Sequence, residues 1–156
     1  MDLPRDFREL LAEFARYGVE AVLVGGYAVA FHGRPRATKD IDLVLDGSPA
    51  NLGRASEALD SFGAPSVVVD AVRIMAPTDV VYLGQPPLRI DLLRVVDGVD
   101  PESLAARAVT TEIDGVPLRV IDLVDLITNK RAVGRPQDLI DADFLERVRA
   151  SREKSK

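Results

Sequence analysis

The chain has 156 residues, enough for one domain with its own core, and its 47% hydrophobic content excludes an intrinsically disordered protein. It has no cysteine and one histidine, which excludes disulfides, thiolate metal sites and a histidine-based zinc cage. The net charge of −5 gives no general attraction to nucleic acid, so any RNA contact must be local. Neither a signal peptide nor an apolar run of about 20 residues is present, so we expect a cytoplasmic protein with no membrane partner.

The first half of the chain predicts a strand–helix–strand unit that is preceded and followed by helices. Apolar residues at helical spacing predict a first helix within residues 4–18. Dense Val, Leu and Ile predict buried strands over 20–24 and 41–45, with a short glycine-led helix between them. A further helix is predicted over 48–62, with a serine N-cap and Gly63 as its stop.

The second half of the chain predicts three more strands, a hairpin and three helices. The strands span 67–69, 80–83 and 88–93, and a turn over 85–87 joins the last two. A single α/β domain over residues 1–150, with a mixed sheet flanked by helices, is therefore expected. The other predicted elements are a helix over 101–108, a hairpin over 110–121 that Pro117 suggests is peripheral, a helix over 122–133, a helix from 136 and a disordered tail over 151–156.

Two glycines and two carboxylates around the glycine-led helix carry the strongest chemical signal. Gly25 and Gly26 follow the first strand, where backbone N–H groups at a helix N-terminus can approach an anion closely. Asp40 and Asp42 are two residues apart on the next strand, so both project from the same face. Same-face oxygens suit a divalent cation such as magnesium, which predicts a nucleoside triphosphate held with the metal. Turn-capping carboxylates would give the same pattern.

Asp91 is a third acidic residue on a predicted buried strand. An ionised side chain is costly there unless it is paired or bound to a metal. If its strand lies beside residues 41–45, Asp91 completes a three-carboxylate site and either binds the metal or accepts a proton from an attacking hydroxyl. The alternative is a structural ion pair with Arg89 or Arg94. The catalytic interpretation requires Asp91 to lie close to Asp42.

A charged turn between the last two predicted helices is the second informative segment. Lys130 lies near a helix C-terminus, from which it can reach a triphosphate as a flexible point charge. Asp138 and Asp141, three residues apart, share a face of the following helix. The helix dipole favours the same charges without any ligand, so the local sequence leaves both interpretations open.

The loop before the paired aspartates is basic. Arg34, Arg36 and Lys39 are able to bind phosphate or RNA there, or to neutralise the carboxylates. Tyr27 either stacks on a base or supports the glycine turn. His32 is expected to be a packing or capping residue rather than a base, because no serine or cysteine nucleophile motif accompanies it.

Together these residues resemble the nucleotidyltransferase superfamily that includes DNA polymerase beta. Its pattern is a glycine pair, an Asp-x-Asp and a later strand carboxylate. More narrowly, two segments are similar to the AbiEii toxin family. They contain Gly25-Gly26-Tyr27-Ala28, Gly33, Arg36, Thr38 and Asp40-Ile41-Asp42-Leu43, followed by Lys130-Arg131-Ala132 and Gly134-Arg135-Pro136-Gln137-Asp138-Leu139.

The resemblance implies the nucleotidyltransferase fold and a magnesium- or manganese-dependent enzyme that takes a nucleotide from an NTP and releases pyrophosphate. Asp40 and Asp42 would bind the metal, and Asp91 would be the third ligand or the base. Lys130 would contact the triphosphate. The nucleotide-binding residues that the resemblance implies are Gly25, Gly26, Tyr27, Arg36, Thr38, Lys39, Lys130 and Asp138.

The resemblance further implies a toxin–antitoxin component that modifies RNA, with tRNA as the acceptor and a cognate antitoxin or toxin protein as partner. One alternative is an enzyme that acts on a small molecule or a partner protein. Many antibiotic nucleotidyltransferases carry tryptophan after the glycines and histidine before Asp-x-Asp, whereas this chain has Tyr27 and Lys39. The other alternative is a non-catalytic nucleotide-binding antitoxin, against which the three retained carboxylates argue.

Overall fold

The computed structural model describes residues 2–35, 37–85 and 87–156, over which six strands and seven helices form. The helices are α1 (Arg5–Arg16), α2 (Gly25–Phe31), α3 (Pro49–Phe62), α4 (Ser66–Arg73), α5 (Pro101–Arg107), α6 (Leu123–Val133) and α7 (Pro136–Lys154). The strands are β1 (Ala21–Val24), β2 (Asp40–Leu45), β3 (Val81–Leu83), β4 (Arg89–Leu93), β5 (Val109–Ile113) and β6 (Val116–Val120). Within the described ranges, every helix is too short or too polar to cross a membrane.

The six strands form one mixed sheet in the order β3-β4-β2-β1-β6-β5. β2 runs parallel to β4, and β1 runs parallel to β6. The other three neighbouring pairs are antiparallel. The predicted α/β fold with a mixed sheet is confirmed, and the two strands that carry the predicted carboxylates are adjacent.

The alternation of side chains along β2 gives the sheet one apolar and one partly polar face. Ile41, Leu43 and Leu45 are buried on the apolar face. Asp40 and Asp42 project from the opposite face, because successive side chains in a strand alternate. The buried residues that alternate with Asp40 and Asp42 therefore fix the position of these carboxylates on the sheet.

Buried Asn51 fixes the far end of the β1–β2 pair. Its side-chain oxygen accepts a hydrogen bond from the Glu20 N–H (2.7 Å). Its amide group donates to the carbonyl oxygens of Glu20 (2.9 Å) and Asp46 (2.8 Å). Because a buried polar side chain with these partners holds two chain segments in one arrangement, Asn51 supports the register that positions Asp42.

Local sequence signals define the ends of the helices as predicted. Ser48 accepts a hydrogen bond from the Asn51 N–H (3.2 Å) at the start of α3. Gly63 ends α3 with a left-handed φ of 97°, and Gly134 ends α6 with a φ of 71°. Pro136 occupies the first turn of α7, where its missing N–H costs no hydrogen bond.

The predicted strand over 67–69 is wrong, because these residues lie in α4. Three successive valines favour a strand by propensity. However, Val68, Val69 and Val72 are buried on one side of the helix, while Val67 is 73% exposed. The Ser56 hydroxyl of α3 also donates a hydrogen bond to the Val69 carbonyl (2.7 Å), so packing against α3 outweighs the local preference.

The C-terminal part confirms the predicted hairpin and helices and corrects one detail. The hairpin forms one end of the sheet, with β5 at the edge and β6 paired with β1, so its predicted peripheral position is confirmed. α7 continues to Lys154, so the tail predicted to be disordered from residue 151 is helical over its first four residues. Ion pairs of Arg149 with Glu146 and Glu153 support this last part of the helix. The turn predicted over 85–87 includes Pro86, which lies outside the described residues.

Candidate active site

The register between β2 and β4 brings the predicted carboxylates together. Asp42 lies opposite Asp91, and Asp40 lies opposite Arg89. Neighbouring strands are about 4.8 Å apart, and register partners point to the same face. These four side chains therefore form one group, which we call the carboxylate cluster. Asp91 thus has the position beside Asp42 that the catalytic interpretation requires.

The charge of Asp42 is destabilised in this cluster. Burial raises the pKa of Asp42 to about 7, and the neighbouring Asp91, which lies within hydrogen-bonding distance, adds to the rise. Asp40 raises this pKa further, whereas Lys130 lowers it. Near neutral pH Asp42 is therefore stabilised by holding its proton or by a nearby cation.

Arg89 supplies a positive charge to the cluster. Its guanidinium donates two hydrogen bonds to Asp91, from Nε (2.8 Å) and from the second terminal nitrogen (3.1 Å). The same terminal nitrogen lies 3.5 Å from Asp40 Oδ2. The ion pair that the sequence offered as the alternative role of Asp91 is thus present. It coexists with the contact to Asp42, so Asp91 takes part in both arrangements.

The glycine turn at the end of β1 lies against the cluster. Gly25 has a left-handed φ of 70°, and a Cβ placed on it would lie 2.2 Å from Asp42 Oδ2. A Cβ on Gly26 would lie 2.9 Å from Thr38 Oγ1. The position of Gly25 therefore requires glycine, both for its backbone conformation and for the close approach to a carboxylate, whereas a side chain on Gly26 would have to displace Thr38.

The residues around this turn hold the loop that leads into β2. Tyr27 is buried, its ring packs edge-on against Phe7 (5.6 Å between centroids), and its hydroxyl lies 3.5 Å from the Thr38 carbonyl. The structure thus favours support of the turn over base stacking for Tyr27. Thr38 donates to the Asp40 carbonyl (3.2 Å), and Lys39 is exposed. Arg36, also predicted to bind the nucleotide, lies outside the described residues.

Lys130 is buried at the end of α6 and is held by two carboxylates of α7. Its Nζ donates to Asp138 (3.2 Å) and lies 3.6 Å from Asp141 Oδ2. Asp141, fully buried, also contacts Arg34 Nε (3.3 Å) and accepts from the Gln137 amide (3.0 Å). Lys130 also acts electrostatically on Asp42. The network therefore holds a buried ammonium group near enough to the carboxylate cluster to lower the pKa of Asp42.

Arg135 is a further cation beside the cluster. It forms two side-chain hydrogen bonds with Asp138, at 2.7 and 3.3 Å, and the charge of Asp42 contributes to raising its pKa. Burial alone would raise the pKa of Asp138, but the hydrogen bonds from Arg135 and Lys130 outweigh burial and lower it. Asp138 therefore stays ionised and fixes two cations. The sequence indicated this pairing only through the three-residue spacing at a helix start.

Tyr82 was not among the sequence-predicted site residues. It lies opposite Asp91 on β3, and the Arg89 guanidinium lies 4.8 Å from the centre of its ring. Only the register between β3 and β4 places it beside the cluster, so no local signal identified it. His32, in contrast, is buried and bonded to the Ile121 carbonyl (2.7 Å), which confirms its expected packing role.

The carboxylate cluster has the type of donor atoms that a divalent cation needs, but its side chains are not arranged as a complete metal site. Among residues 2–35, 37–85 and 87–156, no three acidic or histidine side chains converge on a point where a metal would be held. Instead, Arg89 forms ion pairs with Asp91 and Asp40. The donors are nevertheless the hard oxygens that magnesium prefers, and the juxtaposition of Asp42 with Asp91, which adds to the raised pKa of Asp42, favours a positive charge beside them.

The mixed sheet and its flanking helices form the fold of the nucleotidyltransferases. The chain belongs to the family described as "Nucleotidyl transferase of unknown function (DUF2204)", whose sequence profile matches residues 4–156. Among curated proteins, none matches the chain significantly by sequence.

Three solved structures show the similarity of fold. The lincosamide antibiotic adenylyltransferase LnuA, bound to lincomycin, has a TM-score of 0.62 at 15% identity, over 94% of this chain and 98% of that chain. The antibiotic-resistance factor ANT(2'')-Ia has a TM-score of 0.55 at 19% identity, over 96% and 90%. TM1012 from Thermotoga maritima, described as a candidate nucleotidyltransferase, has a TM-score of 0.56 at 16% identity, over 92% and 89%.

Proposed function

We propose that this nucleotidyltransferase moves a nucleotide from an NTP to a hydroxyl at the 3′ end of an RNA, with tRNA as the acceptor. The observation that carries the transfer chemistry is the pairing of Asp42 with Asp91 on adjacent strands, under the influence of buried Lys130. The two segments similar to AbiEii toxins support a toxin–antitoxin role for the same chemistry.

The residues of the site divide the reaction between them. Asp40 and Asp42 would hold magnesium, which when bound supplies positive charge to the phosphates. The acceptor oxygen forms a bond to the α-phosphorus, and the bond to the pyrophosphate oxygen breaks. Asp91 takes the proton of the attacking hydroxyl. Lys130 balances the negative charge that accumulates on the leaving pyrophosphate.

Arg89 competes with the attacking hydroxyl for the oxygens of Asp91. Its guanidinium donates one hydrogen bond to each of them, so Asp91 accepts a proton more readily once Arg89 releases one oxygen. Half of the Arg89 side chain is exposed, which leaves it room to move.

The charges around the cluster favour an anionic acceptor over a cationic drug. Arg89, Lys39 and Arg135 are exposed there, and Arg34 is partly exposed. Arg34, Arg89 and Arg135 are each paired with a carboxylate of the site, and they become available to an anion where that carboxylate is neutralised. A polynucleotide gains from such a local patch, whereas a polycationic aminoglycoside does not.

A small-molecule acceptor is the second candidate. Its support is the similarity of fold, over nearly the whole of both chains, to an adenylyltransferase that was solved with lincomycin. Two further alternatives remain. If a partner protein is the acceptor, the label appears in that protein, and if the chain is a non-catalytic antitoxin, it binds the nucleotide but forms no labelled product.

The test is incubation of the protein with each labelled NTP, magnesium, and in turn total tRNA, lincomycin or tobramycin. We expect label in tRNA with wild type and with Asp60→Asn, an exposed change on α3 with the same loss of charge. We expect none with Asp42→Asn. Label in the drug alone would replace the RNA proposal by the small-molecule one. Binding of NTP in calorimetry without transfer to any acceptor would favour the antitoxin.

The toxin–antitoxin role has a separate test in cells. Induced expression of wild type should arrest growth, Asp42→Asn should not, and an adjoining reading frame should neutralise the arrest. Normal growth with strongly labelled tRNA in vitro would separate the chemistry from the toxin role and contradict the latter.

A further inference from the structure

Tyr82 extends the carboxylate cluster toward the edge of the sheet. It lies opposite Asp91, and Asp91 lies opposite Asp42, so the three side chains form a row across three adjacent strands on one face. Tyr82 is 54% exposed. An aromatic side chain of this exposure can contact a ligand that binds next to Asp91, the predicted catalytic base.

Arg89 places a guanidinium over the ring of Tyr82. The guanidinium lies 4.8 Å from the centre of the ring while its nitrogens pair with Asp91 and Asp40. Half of the Arg89 side chain is exposed. A half-exposed ring with a partly exposed guanidinium over it suits a ligand that has a planar aromatic group and a nearby phosphate.

The direction of the reaction decides which substrate this surface meets. In phosphoryl transfer the attacking and leaving oxygens lie roughly in line on opposite sides of the phosphorus. Gly25, the glycine predicted to contact the triphosphate, directly follows β1 and approaches Asp42 from the β1 side of the sheet. Asp91 and then Tyr82 lie on the opposite side, since the strand order is β3-β4-β2-β1. The acceptor therefore enters from the Tyr82 side.

We propose that Tyr82 and Arg89 bind the acceptor, with Tyr82 stacked on the terminal base of the RNA and Arg89 paired with the adjacent phosphate. The assignment rests on the proposed function and identifies the part of the acceptor that is recognised. Stacking is tolerant of sequence because every base has an aromatic face, so the surface favours an exposed 3′ end rather than a particular base.

The experiment measures KM for an RNA minihelix with the tRNA acceptor end, and for the same RNA with an abasic 3′ ribose. Tyr82→Ala should raise KM for the complete RNA roughly tenfold, the size expected for one lost base–aromatic stack. Tyr82→Phe keeps the stacking ring, so it should recover most of the KM effect that Tyr82→Ala causes. Ile74→Ala, an 81% exposed apolar residue outside the cluster, is the matched control.

The abasic RNA separates stacking from a general disturbance of the edge strand. Wild type and Tyr82→Ala should have nearly the same KM for it, because the base that Tyr82 contacts is missing. An equal effect of Tyr82→Ala on both RNAs would overturn the assignment, as would a rise in the KM for NTP instead. If wild type transfers nothing to either RNA, the proposed function itself fails. Normal transfer with no effect of Tyr82→Ala overturns only the acceptor surface.

Discussion

Replacing Asp42 by asparagine should stabilise the metal-free protein at neutral and alkaline pH. Burial and the neighbouring Asp91 raise the pKa of Asp42 from 3.8 to about 7. The folded state thus binds this proton more tightly than the unfolded chain, so the free energy of unfolding falls as the pH rises between these two values. Asparagine removes the charge, has nearly the same shape and can donate a hydrogen bond to Asp91.

The size of the effect follows from the shift of about 3 units at about 1.4 kcal/mol per unit. The advantage of Asp42→Asn over wild type should be about 4 kcal/mol at about pH 8 and about 1.5 kcal/mol at about pH 5. Urea unfolding followed by circular dichroism in EDTA measures both. Asp60→Asn, which changes the net charge equally on exposed α3, should show no such increase. An Asp42→Asn advantage that does not change with pH would refute this account of the cluster.

The metal site, the lysine network and the glycine turn give three further predictions. Magnesium should raise the Tm of wild type and leave that of Asp42→Asn unchanged in differential scanning fluorimetry. Lys130→Ala should lower the free energy of unfolding by about 3 to 5 kcal/mol, because it leaves buried Asp138 and Asp141 short of a cation, and urea denaturation would measure it. Lys130→Arg should lose less. Gly25→Ala should reduce the rate of nucleotide transfer more than tenfold, because its methyl group would displace Asp42, and a rate equal to wild type would contradict the close approach.

Much of the framework follows from local signals in the sequence. Ser48, Gly63 and Gly134 act within a few residues of where they stand, and their caps and stops occur as predicted. Val67 to Val69 wrongly predict a strand, because they form a helix whose burial depends on α3, whose residues are more distant in the chain than a local signal reaches. Element boundaries are therefore predictable where backbone chemistry determines them, and less so where packing does.

The site could be predicted only in part, since its geometry depends on strand register. That Asp40 and Asp42 share a face follows from their spacing, but the approach of Asp91 needed the order β4-β2. The same register brought in Tyr82, which carries no motif. From the sequence, Lys130 and Asp138 could either serve a bound ligand or simply complement the dipoles of their helices. The structure shows a third feature, an ion pair between the two residues.

The topology also determines when during synthesis the two halves of the sheet can meet. β1, which ends at the glycine turn, has β2 on one side and on the other β6, which the ribosome makes almost a hundred residues later. Lys130 and Asp138 follow later still. A nascent chain therefore holds Asp40 and Asp42 long before the buried lysine and its carboxylate partners, so the carboxylate cluster meets this ion-pair network only after α6 and α7 have been made.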